Sequence, residues 1–264
     1  MADRGNGQAP GKQREKPPAL RIERADKRPP RRPKSLVMWS GGLDSTYTLV
    51  RLLKETEDEV FAHHIHRNAR RDDGKDLAAT CEYEREAVAA MRAYINRHYR
   101  SFSYSESAVD LTAFSAFARD TATSMFFAAQ AAMTYQFSPF DRIMIGVNRD
   151  EDTRWIEHTE TYKFRRMMVN QMLKAVWESE DVPFFYLWTP RPTKQAEADY
   201  LPLELFRLTA SCRSPTREGA RWVVCGTCAE CSTLSKVVHR EATGASADAH
   251  ERTASSSGAG LPLP

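Results

Sequence analysis

Short apolar runs alternate with amphipathic stretches through the middle of the chain. Short apolar runs are typical of strands buried on both faces, and apolar residues at helical spacing indicate helices that pack on a sheet. The predicted strands are 36–39, 59–66, 100–109, 142–147 and 182–187, and the predicted helices are a first one ending near residue 54, then 80–95, 117–135 and 162–177. Strands that alternate with helices predict an α/β fold, a parallel sheet with helices on both faces.

The junction between the first strand and the first helix, residues 40–45, reads Ser-Gly-Gly-Leu-Asp-Ser. Adjacent glycines let the backbone approach an anion and adopt positive φ, and the helix expected after them directs unpaired N–H groups at the turn. Ser40 and Ser45 add hydroxyl donors, and Asp44 adds a carboxylate suited to Mg²⁺. The chain has no G-x-x-x-x-G-K-[ST] motif, so we predict a phosphate-binding turn of another class.

The carboxyl ends of the other predicted strands nominate further site residues, because ligands bind at that edge of a parallel sheet. These segments are 66–67, 148–152 and 189–194. Nearby, His63, His64 and His66 suggest a metal site. Side chains alternate along a strand, however, so we expect His63 to face away from the other two and predict no metal there.

Four cysteines near the C-terminal end of the core have the spacing C-x12-C-x2-C-x2-C: Cys212, Cys225, Cys228 and Cys231. Two C-x2-C steps bring three thiolates to one ion, and Cys212 can complete a tetrahedron from across a loop. Four thiolates describe a closed, structural zinc site. An iron–sulfur cluster is the main alternative, since C-x2-C-x2-C also occurs in ferredoxin-type sites. We interpret the isolated Cys81 as a packed thiol.

The two ends differ in composition from the core. Residues 1–34 contain eleven Lys/Arg and four Asp/Glu, a net charge of +7; because the whole chain carries +3, the remainder carries −4. This Pro-rich basic arm and the Ala/Ser/Gly-rich tail 241–264 are predicted to be disordered, which leaves 35–240 as one folded domain. We favour a solubilising role for the arm, with contact to nucleic acid as the alternative.

Cysteine clustering and hydropathy bear on the compartment. C-x2-C spacing in a chain of this size is more typical of metal binding in a reducing compartment than of disulfides. No stretch approaches the ~20 apolar residues of a membrane span. We therefore expect a cytoplasmic protein with no membrane partner.

The phosphate turn and the cysteine spacing together resemble the 7-cyano-7-deazaguanine synthase (QueC) family of N-type ATP pyrophosphatases, the PP-loop enzymes. The resemblance rests on two motifs: SGGLDST at 40–46, and a cysteine followed by Cys-Gly-x-Cys-x-x-Cys within 212–231. Between them, further similar segments are Arg119-Asp120, Gly146-Val147-Asn148, 192–197 and Thr209-Ala210-Ser211-Cys212. The resemblance covers about 36–240.

This resemblance implies an adenine nucleotide alpha hydrolase-like fold and a carbon–nitrogen ligase of 7-deazaguanine (queuosine or modified-DNA) biosynthesis. The reaction would convert 7-carboxy-7-deazaguanine and ammonia to 7-cyano-7-deazaguanine through an adenylylated carboxylate and an amide. The implied cofactors are ATP, Mg²⁺ and one structural Zn²⁺ per chain. The implied ATP-binding residues are Ser40, Gly41, Gly42, Leu43, Asp44 and Ser45. The implied catalytic residues are Asp44, Ser45, Lys194 and Arg119.

One segment departs from the family pattern. The family carries Tyr-Pro-Asp-Cys after the Gly-x-Asn segment, whereas residues 155–160 read Trp-Ile-Glu-His-Thr-Glu. A reaction that stops at the amide is therefore an alternative, as is another substrate. Two further alternatives are a PP-loop tRNA thiolase with an iron–sulfur cluster and a QueC-like ATP-binding component of a phage-defence system. For the oligomeric state, a homodimer is an alternative to a monomer.

Overall fold

The computed structural model describes most of the chain between Arg32 and His239. The described residues are 32–69, 77–113, 120–133, 140–148, 150, 171, 174–175, 184–186 and 191–239. Most of the predicted arm, the tail 241–264 and the segment 155–160 lie outside them. So do Arg119 and, apart from 171, 174 and 175, the predicted helix 162–177.

Five parallel strands form the main sheet of the described residues. They are β1 (Lys34–Met38), β2 (Glu59–Asn68), β3 (Ser103–Asp110), β4 (Arg142–Ile145) and β5 (Phe184–Tyr186). Their order across the sheet is β3-β2-β1-β4-β5, and every neighbouring pair is parallel. The five predicted strands correspond to these elements, so the prediction of an α/β fold with a parallel sheet is confirmed.

Helices connect the strands and continue beyond them. They are α1 (Leu43–Glu55), α2 (Ala78–His98), α3 (Asp120–Met133), α4 (Lys194–Tyr200), α5 (Leu203–Leu208) and α6 (Ala229–Leu234). Helix α1 begins inside the predicted phosphate turn, so Asp44 and Ser45 belong to its first turn and do not precede it. A short antiparallel hairpin, β6 (Thr216–Glu218) with β7 (Arg221–Val223), was not among the predicted elements.

Both faces of the sheet are covered, as the buried character of β1 predicts. Val37 and Trp39 belong to one hydrophobic cluster with α1, α2, α4 and α5. Leu36 and Met38 belong to a second cluster, against the alanines of α3. Alternate residues of β1 thus pack into opposite layers, and burial of each large apolar side chain stabilises the fold by about 1.5–3 kcal/mol. None of the helices in the described ranges has the length and hydrophobicity of a membrane span.

The strand order determines where a ligand can bind. The chain passes from β1 to β2 on one side, whereas β4 and β5 lie on the other side of β1. Sheets of this kind bind ligands where the order reverses, outside the carboxyl ends of the two central strands. Here those strands are β1 and β4, which end at the 40–45 turn and at Gly146.

Candidate functional site

The turn after β1 has a backbone that requires glycine. Gly41 has φ +85°, and a Cβ on it would lie 2.8 Å from Cγ2 of Val88 on α2. Gly42 follows in extended conformation and precedes the first residue of α1. The hydroxyls of Ser40 and Ser45 lie 3.1 Å apart across the turn, and Ser45 Oγ donates to the Gly42 carbonyl at 3.2 Å. The turn is therefore closed by its own hydrogen bonds.

The end of β4 packs directly on the first turn of α1. A Cβ on Gly146 would lie 2.3 Å from the backbone nitrogen of Ser45 and 2.4 Å from the carbonyl carbon of Asp44. No side chain fits at this contact, so the end of β4 and the first turn of α1 meet backbone to backbone. The contact brings Asn148, two residues further along and fully buried, beside Asp44.

Asp44 is the centre of a charged cluster formed by three separate parts of the chain. Lys194 Nζ donates to Asp44 Oδ1 at 2.5 Å, and Asn148 Nδ2 donates to Oδ2 at 3.2 Å. The Lys194 side chain is only 4% exposed, and that of Asp44 is 16% exposed. A buried lysine of this kind needs a carboxylate partner, because desolvation of an unpaired ammonium is strongly unfavourable.

The start of α4 holds Lys194 in place. Thr193 is the N-cap, and its hydroxyl accepts from the backbone N–H of Ala196 at 3.1 Å. The backbone N–H of Lys194 donates to Asp150 Oδ2 at 2.8 Å. Both interactions satisfy N–H groups that the first turn of a helix leaves without an intrahelical acceptor. The cap at Thr193 and the contact with Asp150 therefore fix the backbone from which the Lys194 side chain extends.

Both members of the ion pair are charged at neutral pH. Burial by itself raises the pKa of Asp44, but its hydrogen bond with Glu197 and the charge of Lys194 outweigh burial and lower this pKa below its ordinary value of 3.8. For Lys194, burial lowers the pKa, whereas the charges of Asp44 and Glu230 raise it above 10.5. The arrangement combines a carboxylate and a fixed cation beside a glycine turn.

Two acidic residues of this cluster were missing from the sequence prediction. Glu197 is 1% exposed and follows Lys194 by three residues, on the same face of α4. Glu230 lies between two of the clustered cysteines, and its Oε2 is 3.6 Å from Lys194 Nζ. The i, i+3 spacing could have indicated Glu197. No local pattern could have indicated Glu230, because its partner is 36 residues away in the chain.

The four cysteines meet in one cluster, with the Sγ atoms all within 4.8 Å of one another. Backbone N–H groups point at the sulfurs: that of Cys225 donates to Cys212 Sγ at 3.3 Å, and that of Cys228 donates to Cys225 Sγ at 3.3 Å. Gly226, with φ +69°, allows the chain to turn between these ligands. Such N–H groups stabilise thiolates, so the donor set fits a structural metal such as zinc.

The thiols of the cluster differ in their tendency to ionise. Burial opposes ionisation of Cys225, but the backbone N–H groups of Thr227 and Cys228 outweigh burial and lower its pKa to about 6. Burial raises the pKa of Cys212 and, further, that of Cys231. A bound cation favours deprotonation of all four.

The cysteine segment is attached to the glycine turn. The backbone N–H of Ala210 donates to the Gly41 carbonyl at 2.8 Å, and the backbone N–H of Leu43 donates to Ser211 Oγ at 3.3 Å. Cys212 follows directly and is 3% exposed. The two predicted sites, more than 160 residues apart in sequence, are thus parts of one contiguous region.

The histidines of β2 lie on opposite faces of the strand, as the alternation of side chains predicts. Both ring nitrogens of His63 contact serine hydroxyls of β3, at 2.8 Å (Ser105) and 3.0 Å (Ser107). His64 and His66 stack edge to face on the opposite side of the strand. His64 Nδ1 donates to the carbonyl of Trp39 at 2.8 Å and so holds the residue that precedes the glycine turn.

The structure thus brings together most of the predicted site residues. Asp44, Ser45 and Lys194 meet at the carboxyl ends of β1 and β4, and the four cysteines meet beside them. The fold and site define an α/β protein with a parallel sheet and a four-cysteine cluster compatible with a structural metal. The chain matches no protein-family model, and a search of curated proteins finds no match either.

Proposed function

We propose that this protein is a PP-loop enzyme that uses ATP and ammonia to convert 7-carboxy-7-deazaguanine to 7-cyano-7-deazaguanine. The observation that carries the proposal is the Asp44–Lys194 pair, at 2.5 Å, beside a glycine turn at the reversal point of the sheet. That edge is where sheets with this strand order bind nucleotides. The fold proposed with this function is adenine nucleotide alpha hydrolase-like.

The residues of the turn suit the triphosphate of ATP. Gly41 and Gly42 keep side chains away from the backbone, and α1 directs the positive end of its dipole at the turn. Lys194 would contribute a fixed positive charge to the phosphates. Mg²⁺ would be held by the carboxylate of Asp44 and would neutralise charge on the departing pyrophosphate.

The chemistry needs a leaving group on a carboxylate, which is by itself a poor electrophile. A carboxylate oxygen of the substrate attacks the α-phosphorus of ATP, and the bond from that phosphorus to pyrophosphate breaks. Ammonia then attacks the acyl carbon, AMP leaves, and a proton is lost to give the amide. A second ATP activates the amide oxygen in the same way, and loss of AMP and two protons gives the nitrile. The protein would supply positioning and cationic stabilisation.

The cysteine cluster is assigned one structural zinc per chain. A tetrahedral ion with Zn–S bonds of ~2.3 Å separates its sulfurs by about 3.8 Å. The Sγ atoms of Cys225 and Cys231 are 3.9 Å apart, and all four lie within 4.8 Å. A four-iron cluster attaches each thiolate to a different iron and therefore holds the sulfurs further apart. The spacing favours a mononuclear ion, and with it the ligase over the iron–sulfur thiolase.

The test is a product assay. Purified protein is incubated with ATP, Mg²⁺, ammonium and 7-carboxy-7-deazaguanine, and the product mass is followed together with pyrophosphate release and metal content. We expect the nitrile, two pyrophosphates per product and one zinc per colourless chain. An amide product would limit the proposal to its first half-reaction. Iron with visible absorbance would instead support the thiolase, and nucleotide binding without turnover would support an ATP-binding component of another system.

A further inference from the structure

Glu230 contacts the reaction site from within the cysteine cluster. It is the second residue of α6, between Cys228 and Cys231. Its Oε2 lies 3.6 Å from Lys194 Nζ, and its Oε1 lies 3.7 Å from Nη2 of Arg213. The Glu230 side chain is 19% exposed, which places it between the ligand loop and the buried lysine rather than in open solvent.

The position of Glu230 depends on the cluster. Helix α6 has six residues, none of them buried, and it begins with the Cys228 side chain accepting from the backbone N–H of Cys231. A helix of this length has no independent stability, because isolated helices shorter than about 12 residues are marginal in water. Ligation of Cys228 and Cys231 by one ion would fix both ends of the segment that carries Glu230.

A second route runs through the residues before Cys212. The Ala210 N–H and the Ser211 hydroxyl bind the backbone of the glycine turn, at 2.8 Å to the Gly41 carbonyl and 3.3 Å to the Leu43 nitrogen. Cys212 is the next residue. An ion on Cys212 therefore restrains the two residues that contact the turn, while Glu230 restrains the lysine that contacts Asp44.

We propose that Glu230 is a positioning residue that couples the cysteine-bound metal to the glycine turn, so that metal loading strengthens phosphate binding at the turn. Coupling of two binding equilibria is reciprocal, so a phosphate ligand also strengthens metal retention by the same factor. The link between the cysteine-bound metal and the glycine turn is inferred from the contacts of Glu230, Ala210 and Ser211 alone. The identity of the phosphate ligand rests on the proposed function.

The first experiment needs no nucleotide. Amide hydrogen exchange of the full chain is measured with zinc and after zinc removal. We expect the Leu43 and Ala210 amides to exchange faster without zinc, while β1 stays protected. Unchanged exchange at both amides would overturn the inference. If β1 also loses protection, the metal-free chain has unfolded. The inference is then tested by ligand binding to the zinc-loaded Glu230→Gln variant.

The second experiment measures the coupling in zinc-loaded protein. Binding of pyrophosphate and of ATP is compared between the wild type, Glu230→Gln and a control, Glu218→Gln, an exposed residue of the hairpin between Cys212 and Cys225. We expect Glu230→Gln to retain one zinc but bind both ligands at least about 5-fold more weakly, the lower end of typical coupling, and the control to bind as the wild type does. Unchanged affinity in Glu230→Gln would overturn the role of this residue.

The two proposals fail in different ways. If the deazaguanine acid is not turned over but pyrophosphate binding still depends on zinc and Glu230, the proposed function is wrong and the coupling stands. If the acid is turned over and zinc removal changes neither exchange nor affinity, the coupling is wrong and the function stands.

Discussion

The glycine turn and the cysteine segment lie in contact, but they are held by different forces. The turn is enclosed by the sheet, α1 and α2, and its shape follows from close packing of Gly41 on the Val88 side chain and of Gly146 on the backbone of α1. The cysteine segment contributes a hairpin of two three-residue strands and a six-residue helix that has no buried residue. One region is shaped by close packing and can exist before any ligand arrives. The other carries the four-cysteine cluster, which is compatible with a structural metal, and a bound ion would stabilise it by ligation.

The largest expected effect comes from removal of one metal ligand. Cys228→Ala should lose its zinc on dialysis and lower the thermal midpoint by about 10 °C or more, because structural metal binding is part of the folding free energy. Metal content and calorimetry measure both. The control is Cys81→Ala, whose thiol lies outside the cluster and donates to the Arg67 carbonyl. Retention of one zinc by Cys228→Ala would contradict the four-cysteine assignment.

The charged pair should matter more for chemistry than for folding, because the carboxylates of Glu230 and Glu197 still face Lys194 when Asp44 is neutralised. Asp44→Asn removes the charge that pairs with Lys194, and we expect pyrophosphate release to fall at least about 100-fold, as for loss of a directly stabilising group. Circular dichroism should show a folded protein with its zinc. Asp199→Asn, which changes a carboxylate of α4 that accepts from Gln195, is the matched control. Retained turnover in Asp44→Asn would exclude the proposed role.

The packing of the turn can be broken without touching a polar group. Gly146→Ala places a methyl group 2.3 Å from the backbone of Ser45, so the free energy of unfolding should fall by about 3 kcal/mol, at the upper end for overpacking. Gly219→Ala is the comparison: its φ is +62° with open space around it, and only backbone strain of about 1 kcal/mol is expected. Urea unfolding measures both. Equal losses would show that the β4–α1 contact adapts.

Acid should weaken the two regions for different reasons. Burial lowers the pKa of His64 from 6.5 to about 4, so below pH 6.5 the unfolded chain gains a proton that the folded chain does not. Stability from neutral His64 is therefore complete above pH 6.5 and falls by about 2–3 kcal/mol as the pH drops to 4. His64→Gln should remove this part of the acid slope while zinc release with pH, measured separately, is unchanged. An identical slope in both proteins would contradict a neutral buried His64.

The sequence predicted the framework of this protein well because its signals are local. Apolar runs and helical spacing identified every strand of the main sheet, and alternation along β2 separated His63 from His64 and His66 correctly. The start of α1 was placed too late: residues 40–45 were predicted to precede the helix, whereas the helix begins at Leu43, directly after Gly42. The hairpin was missed because its strands have only three residues each.

What the sequence determined alone was chemistry: a glycine turn with Ser40, Asp44 and Ser45, four thiols at metal-binding spacing, and alternating elements that require a parallel sheet. Tertiary structure decided which of these meet. It placed Lys194 on Asp44 and Glu230 on Lys194, and joined Ser211 to the turn. Residue types and short spacings express local physics, whereas contacts across 36 to 168 residues depend on strand order and packing, which no local pattern encodes.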